Sequence, residues 1–216
     1  MLFGGTRVFT DRREAGRALA SALEQYRASD AIVLGLARGG VPVAYEVASA
    51  LGFPLDVLIV RKLGVPGHEE LAMGAIASGG ASVLNMTVLT AAGISEETLK
   101  EVVGREREEL QRREKTLRGD APPLDVAGRV AMIVDDGLAT GATMRAAAQA
   151  LRGPAKRVVA AVPVAAPESL VRLRQEADEV VCLAAPQEFS AVGEFYLDFK
   201  ETSEEEVRAL LAAAHS

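Results

Sequence analysis

Asp135 and Asp136 stand side by side, and Ala139-Thr140-Gly141-Ala142-Thr143 follows closely. Two ionised carboxylates can only accept hydrogen bonds, so they suit vicinal hydroxyls, either directly or through a divalent cation. The small residues from Ala139 to Thr143 let main-chain N–H groups approach an anion, and the hydroxyls of Thr140 and Thr143 add donors. Acceptors on one side of an anion cradle describe a phosphorylated sugar. The loop contains no lysine, so the lysine-bearing loop of nucleoside-triphosphate binders is absent. An ordinary strand-to-helix turn, with one aspartate as cap and one glycine as hinge, is the simpler alternative, but it needs a single acid. Two adjacent like charges also repel, so without a cation or ligand one pKa should rise.

The elements around these residues must place them at one edge of a sheet. Val130–Val134 is an apolar run with the look of a strand buried on both faces, and Met144, Ala147, Ala148 and Leu151 have helical spacing. Such a strand, loop and helix put a site at the carboxyl edge of a parallel sheet, where open α/β folds bind ligands. Ile32–Leu36 predicts another strand, and the turn Ala37-Arg38-Gly39-Gly40 leaves it at the same edge. Glycines there permit close ligand approach, and the Arg38 fork suits phosphate oxygens. A plain βα turn is the other reading, and the glycine spacing does not fit a dinucleotide-binding fingerprint. Residues 55–60 predict a strand ending in Arg61-Lys62, two cations converging on that edge or simply solvated there. The Gly and Pro content of 63–70 predicts a loop, in which His68 is either a proton shuttle or an exposed bystander.

Alternation of apolar runs with helical patterns continues almost throughout. Asp11 and Glu14 have capping-box spacing before a helix with Ala15, Leu19, Ala22, Leu23 and Tyr26 on one face. Residues 73–77 and 82–90 flank Gly79-Gly80 and predict an antiparallel hairpin. Ser95 caps a long charged helix reaching about Arg118. Its i,i+4 pairs Glu101–Arg105, Glu108–Arg112 and Glu109–Arg113, beside a thin stripe of Leu99, Val103, Leu110 and Leu117, predict a solvated helix along the domain edge. A dimer contact or a lid is the alternative role for it. Strand, helix and strand are predicted at 156–164, 167–177 and 179–184. The fold class is α/β, a mostly parallel sheet with helices on both faces and a small hairpin region.

A chain of 216 residues, 49% apolar and 25% charged, fits one globular domain. A net charge of −6 argues against nonspecific nucleic-acid binding. No apolar run nears the ~18–20 residues that cross a bilayer, and residues 1–7 lack a secretory apolar stretch, so a cytoplasmic location is expected. Cys182 is the sole cysteine, which excludes an intrachain disulfide and a cysteine zinc site; its apolar neighbours mark it as core.

The segment Met132-Ile133-Val134-Asp135-Asp136-Gly137-Leu138-Ala139-Thr140-Gly141-Ala142-Thr143 resembles the phosphoribosyl diphosphate (PRPP) signature of type I phosphoribosyltransferases. The resemblance implies a type I phosphoribosyltransferase-like core in a single domain, with an inserted charged helix at about 95–118 and a C-terminal hood at about 186–200. It implies Mg2+-dependent transfer of ribose 5-phosphate from PRPP to a nitrogen base, with release of pyrophosphate. By that resemblance Ala139, Thr140, Gly141, Ala142 and Thr143 hold the 5-phosphate, and Arg38, Gly39 and Gly40 hold the diphosphate. Asp135, Asp136, Arg61 and Lys62 serve catalysis, the two aspartates on the ribose hydroxyls and the two cations on the leaving group. A mobile loop is expected to follow Lys62. In the hood, Phe189 is expected to stack on the base, and Asp198 to join Asp135 and Asp136 near the metal. The hood resembles that of 6-oxopurine enzymes, with one extra residue between Gly193 and Asp198. Residues 161–167 carry no lysine where those enzymes read the 6-oxo group, which leaves the acceptor open. The partners implied are PRPP and a nitrogen base, with neither nucleic acid nor membrane; a homodimer is common in the family. A noncatalytic PRPP-binding regulator is the main alternative, and an interaction protein built on the 95–118 helix is a second.

Overall fold

The computed structural model describes residues 8–214; the segment 1–7, read above for a leader, lies outside them. Helix α1 (Arg12–Ala22) precedes β1 (Ile32–Leu36), α2 (Gly40–Leu51) and β2 (Leu55–Leu58). Strands β3 (Val60–Val65), β4 (His68–Ala77) and β5 (Ser82–Leu84) come next, then helices α3 (Met86–Ala91) and α4 (Glu96–Arg118). The chain closes with β6 (Val130–Val134), α5 (Ala142–Leu151), β7 (Arg157–Val164), α6 (Pro167–Leu173), β8 (Glu179–Ala184) and α7 (Glu204–Ala214). No helix among the described residues is long and apolar enough to cross a membrane.

Five parallel strands form the main sheet in the order β2-β1-β6-β7-β8. Period-two alternation sends their side chains to two separate cores. Val33, Val57, Met132, Val134, Val159 and Ala161 pack with α1, α2 and α7. Leu34, Leu58, Ile133, Ala160 and Val162 pack with α5 and α6. Strands covered on both faces must be apolar throughout, which is why β1 and β6 are legible as uninterrupted runs. Register then aligns their ends: Leu36 lies opposite Leu58, and Gly35 opposite Val134. The turns at 37–40 and 135–141 therefore leave the sheet together.

The region after β2 departs from expectation. The chain leaves the main sheet at Ile59, whose N–H donates to Ser78 Oγ and whose carbonyl accepts from the Ser78 N–H. Arg61 and Lys62 thus belong to β3 of a separate antiparallel sheet, order β3-β4-β5, and do not end the second main strand. The expected mobile loop at 63–70 is the tight β3–β4 hairpin, turning at Pro66-Gly67 with Gly67 at φ 78°. The second hairpin arm stops at Leu84, because the Asn85 side chain caps α3 by accepting from the Val88 N–H. Helix α6 likewise ends at Leu173, short of 177.

Helix α4 has the predicted bounds, Ser95 cap and Gly119 end, and its predicted apolar stripe of Leu99, Val103, Leu110 and Leu117 lies against the core while the rest is largely exposed. Val102, Leu110 and Leu117 are buried against the β3 and α7 side. Of the predicted charge pairs only Glu109–Arg113 forms; Glu109 also takes Arg112. At its end Arg118 Nε donates to Asp56 Oδ1 at 2.9 Å, with both side chains 4% exposed. The other Asp56 oxygen accepts the Leu124 N–H at 3.0 Å. This pair fastens α4 to β2. Removing Asp56 leaves the buried Arg118 with the longer Glu114 contact at 3.4 Å and the Val57 carbonyl, so Asp56→Ala should lower the unfolding free energy by roughly 3 kcal/mol, the lower end for breaking a buried pair. Urea denaturation measures it, and a loss under about 1 kcal/mol would mean that water reaches the pair.

Candidate active site

Asp135 and Asp136 close β6 at the carboxyl edge, both half-buried. The Asp135 side chain accepts the Asp136 N–H at 2.9 Å. The Asp136 carboxylate accepts from Arg12 Nε at 2.8 Å, with the two side chains 14% and 12% exposed. Arg12 is held in turn by the Lys200 carbonyl, to which Nη1 donates at 2.6 Å, and by the Phe199 ring, 4.0 Å below its guanidinium. The Tyr196 hydroxyl donates to the Asp136 carbonyl at 2.6 Å. Burial first, and then the Asp136 charge, hold the Asp135 pKa well above the ordinary 3.8. Burial raises Asp136 too, against the opposing pull of Arg12.

The turn at 37–40 lies hard against these acids. A Cβ on Gly39 would sit 2.2 Å from Asp136 Oδ2, and one on Gly40 would sit 2.5 Å from the Val134 carbonyl and 2.9 Å from Asp135 Cα. The glycines are therefore required by the approach of the two loops, whatever ligand they also serve. The Ala37–Arg38 peptide is cis. Arg38 is ion-paired with Glu201, at the half-exposed surface.

Past the acids, the Leu138 N–H donates to the Val164 carbonyl at 2.9 Å, and its own carbonyl accepts from Ala166, tying the loop to the β7 end. Ser169 Oγ donates to the Ala139 carbonyl. Gly141, at φ 72°, caps α5. The N–H groups of Ala139, Thr140, Gly141, Thr143 and Met144 donate to no acceptor among the described residues, and the Ala142 N–H has only a 3.5 Å contact with Thr140 Oγ1. Unpaired amides at the start of a helix are what an anion requires.

Other expected members are placed differently. Arg61 and Lys62, adjacent on β3, face opposite sides of that strand. Arg61 donates twice to Glu106 Oε2, at 2.9 and 2.6 Å, while Lys62 lines a cleft against α5 that also holds Arg145 and Glu176. They do not converge. Asp198 is exposed and paired with Lys200 at 3.0 Å, which lowers its pKa. Among the described residues no group of three or more His, Cys, Asp or Glu side chains is arranged to hold a metal, so Asp198 does not complete a carboxylate triad with Asp135 and Asp136. Phe189 is half-buried and stacked on Phe195, with centroids 5.4 Å apart, so one ring face is already covered. His68 is exposed on the β3–β4 hairpin, and Cys182 packs beside the second core with its thiol pKa pushed up to about 11 by burial.

Arg12 was missed in the sequence because a charged residue at the start of an amphipathic helix normally faces water. Strand-like pairing supplies the reason it does not: the Phe9 N–H donates to the Phe195 carbonyl, and the Leu197 N–H to the Phe9 carbonyl, both at 2.8 Å. That pairing lays the hood across the N-terminus of α1. Within the hood, Val192 packs over Gly137 beside the acids.

Residues 11–200 match the phosphoribosyl transferase domain family. Two Mycobacterium tuberculosis proteins, from strains H37Rv and CDC 1551, are each 49% identical over 210 residues and carry provisional phosphoribosyl transferase names. The match covers 97% of this chain and 47% of each relative, so the chain spans about half the length of those curated relatives. The crystal structure of TT1426 from Thermus thermophilus superposes with a TM-score of 0.87 at 46% identity, covering 95% of this chain and 98% of that one.

The electrostatics of the pair set a pH dependence. A carboxyl whose folded pKa is raised binds protons that the unfolded chain releases, so it costs stability above the raised value and nothing below the unfolded value near 3.8. Asp135→Asn should therefore raise Tm at pH 7, by about 2–4 °C for each kcal/mol released, and the gain should vanish toward pH 4. Thermal melts across that range decide it; a variant less stable than wild type at pH 7 would contradict the charge penalty.

Proposed function

This chain belongs to the phosphoribosyl transferase domain family, and we propose that it moves ribose 5-phosphate from PRPP to a nitrogen base, releasing pyrophosphate. One observation carries the reading: desolvated Asp135 and Asp136 stand between the glycine turn at 37–40 and the unpaired amides at 139–143. A single PRPP molecule has the matching chemistry, with a diphosphate at one end, vicinal hydroxyls in the middle and a monophosphate at the other.

In this reading the C1–O bond to the diphosphate breaks with its electron pair leaving on oxygen, while the acceptor nitrogen closes on C1. The transition state is oxocarbenium-like, so holding the sugar still and stabilising the departing charge are the two tasks. Amides and hydroxyls of 139–143 grip the 5-phosphate, and Asp135 and Asp136 accept from the ribose hydroxyls. Arg38, released from Glu201, donates to the diphosphate with the 39–40 backbone alongside. The hood, packed over Gly137 through Val192, limits water at the sugar and offers Phe189 to the acceptor.

Mg2+ belongs to this proposal as well. Among the described residues no cation is bonded directly to Asp135, and its oxygens are hard donors in a desolvated place, so the residues present fit the ion. Asp135 and Asp136 would hold it with substrate oxygens, without Asp198. When bound it would supply positive charge beside the sugar hydroxyls and the leaving group.

The test is a panel of nitrogen heterocycles incubated with PRPP and Mg2+, read by pyrophosphate release and the mass of the nucleotide formed. Turnover is expected with at least one acceptor. The double variant Asp135→Asn, Asp136→Asn should keep its fold and lose roughly two to three orders of magnitude in rate, the scale of removing preorganised charge. PRPP binding with no turnover on any acceptor would instead favour a PRPP-binding regulator.

A further inference from the structure

We propose that Arg112 and Arg113 of α4 complete the diphosphate half of the donor site, facing Arg38 and Thr143 across a cavity. The inference rests on PRPP being the donor. The cavity, of about 270 Å3, opens where β1 and β2 end, and its lining includes Arg38, Arg112, Arg113, Thr116 and Thr143, with Glu204 as the one carboxylate among the described lining residues. Arg38 comes from the turn beside the acids and Thr143 from the amide loop. A ligand lying between those two loops therefore meets α4 next.

Three guanidiniums around one cavity can together take a multiply charged anion in exchange for their carboxylate partners, and the fork geometry of arginine suits the oxygens of a diphosphate. The two cations expected from sequence do not fill the role. Arg61 is bound to Glu106, and Lys62 faces the α5 side. Arg112 and Arg113 are held differently. Both donate to the single Glu109 carboxylate, Arg112 through Nε and Nη2 at 2.8 and 2.9 Å, and Arg113 through Nε at 2.7 Å. All three side chains are solvent-accessible, 67%, 50% and 28% exposed. Exposed pairs of this kind contribute little stability, so a ligand bearing several negative charges can take both arginines from one carboxylate. Glu109 thus acts as a parking site that keeps two cations together beside the cavity. The burial of Val102, Leu110 and Leu117 fixes the helix that carries them.

Isothermal titration of the full chain with inorganic pyrophosphate and, separately, with ribose 5-phosphate tests this. Arg112→Gln with Arg113→Gln should weaken pyrophosphate binding roughly tenfold or more and leave ribose 5-phosphate within about twofold, because the lost groups are charge-assisted donors to one end of the ligand only. Glu109→Gln frees both arginines and should tighten pyrophosphate binding a few-fold. Unchanged pyrophosphate affinity in the double arginine variant, equal weakening of both ligands, or weaker pyrophosphate binding in Glu109→Gln would overturn the assignment. A wild-type chain that binds ribose 5-phosphate but not pyrophosphate overturns this inference alone. Binding of neither ligand overturns the donor reading with it.

Discussion

Two carboxylates forced together in a poorly solvated corner cannot both be charged without help, and the architecture around β6 is organised by that constraint. Arg12 supplies one counter-charge, and the hood supplies Arg12's own supports through the Lys200 carbonyl and the Phe199 ring. The Tyr196 hydroxyl is fixed on the Asp136 carbonyl, and burial with the nearby Asp136 charge pushes its phenol pKa upward, so it stays a donor. Gly39 and Gly40 admit the acids where any side chain would collide. Asp135 has no direct cation among the described residues, and burial with the Asp136 charge raises its proton affinity. The corner is thus poised for a cation or for hydroxyl donors, which a sugar phosphate with a divalent ion would bring.

How much of this could be seen in the sequence depended on whether a residue's role was local. Val130–Val134 and Ile32–Leu36 were legible to the residue because strands covered on both faces admit no polar interruption. The bounds of α4 were legible because Ser95 and Gly119 are local stop signals. Ser203, whose hydroxyl accepts the Glu206 N–H, with Val207, Leu210 and Leu211 at helical spacing, carried the same kind of signal for α7, which was overlooked. Arg12, by contrast, owes its position to pairing between residue 9 and residues 195–197, and nothing near residue 12 announces it. Arg61 and Lys62 were misplaced because one residue, Ile59, leaves one sheet for another through Ser78, and period-two alternation then parts the neighbours.

Helix α4 joins these observations. Its apolar side and the buried Arg118–Asp56 pair anchor it to the main sheet, while its exposed side holds Glu109 with two arginines at the mouth of a cavity beside Arg38. Glu106, one turn earlier, keeps Arg61 occupied. A helix that looks like a solvated edge in sequence thus brings two arginines to a cavity that Arg38 also lines. Leu117, part of the packing that fixes its axis, lines the same cavity as Arg112 and Arg113, so packing and charge meet along one face of the helix.

In the proposed reading, the amides of 139–143 and the paired acids grip opposite parts of one sugar phosphate. A crystal structure of the chain with PRPP bound tests it most directly. The 5-phosphate is expected within hydrogen-bonding distance of the 139–143 amides, with the ribose hydroxyls on Asp135 and Asp136. A sugar phosphate bound elsewhere, with that loop and both carboxylates free of it, would rule this arrangement out.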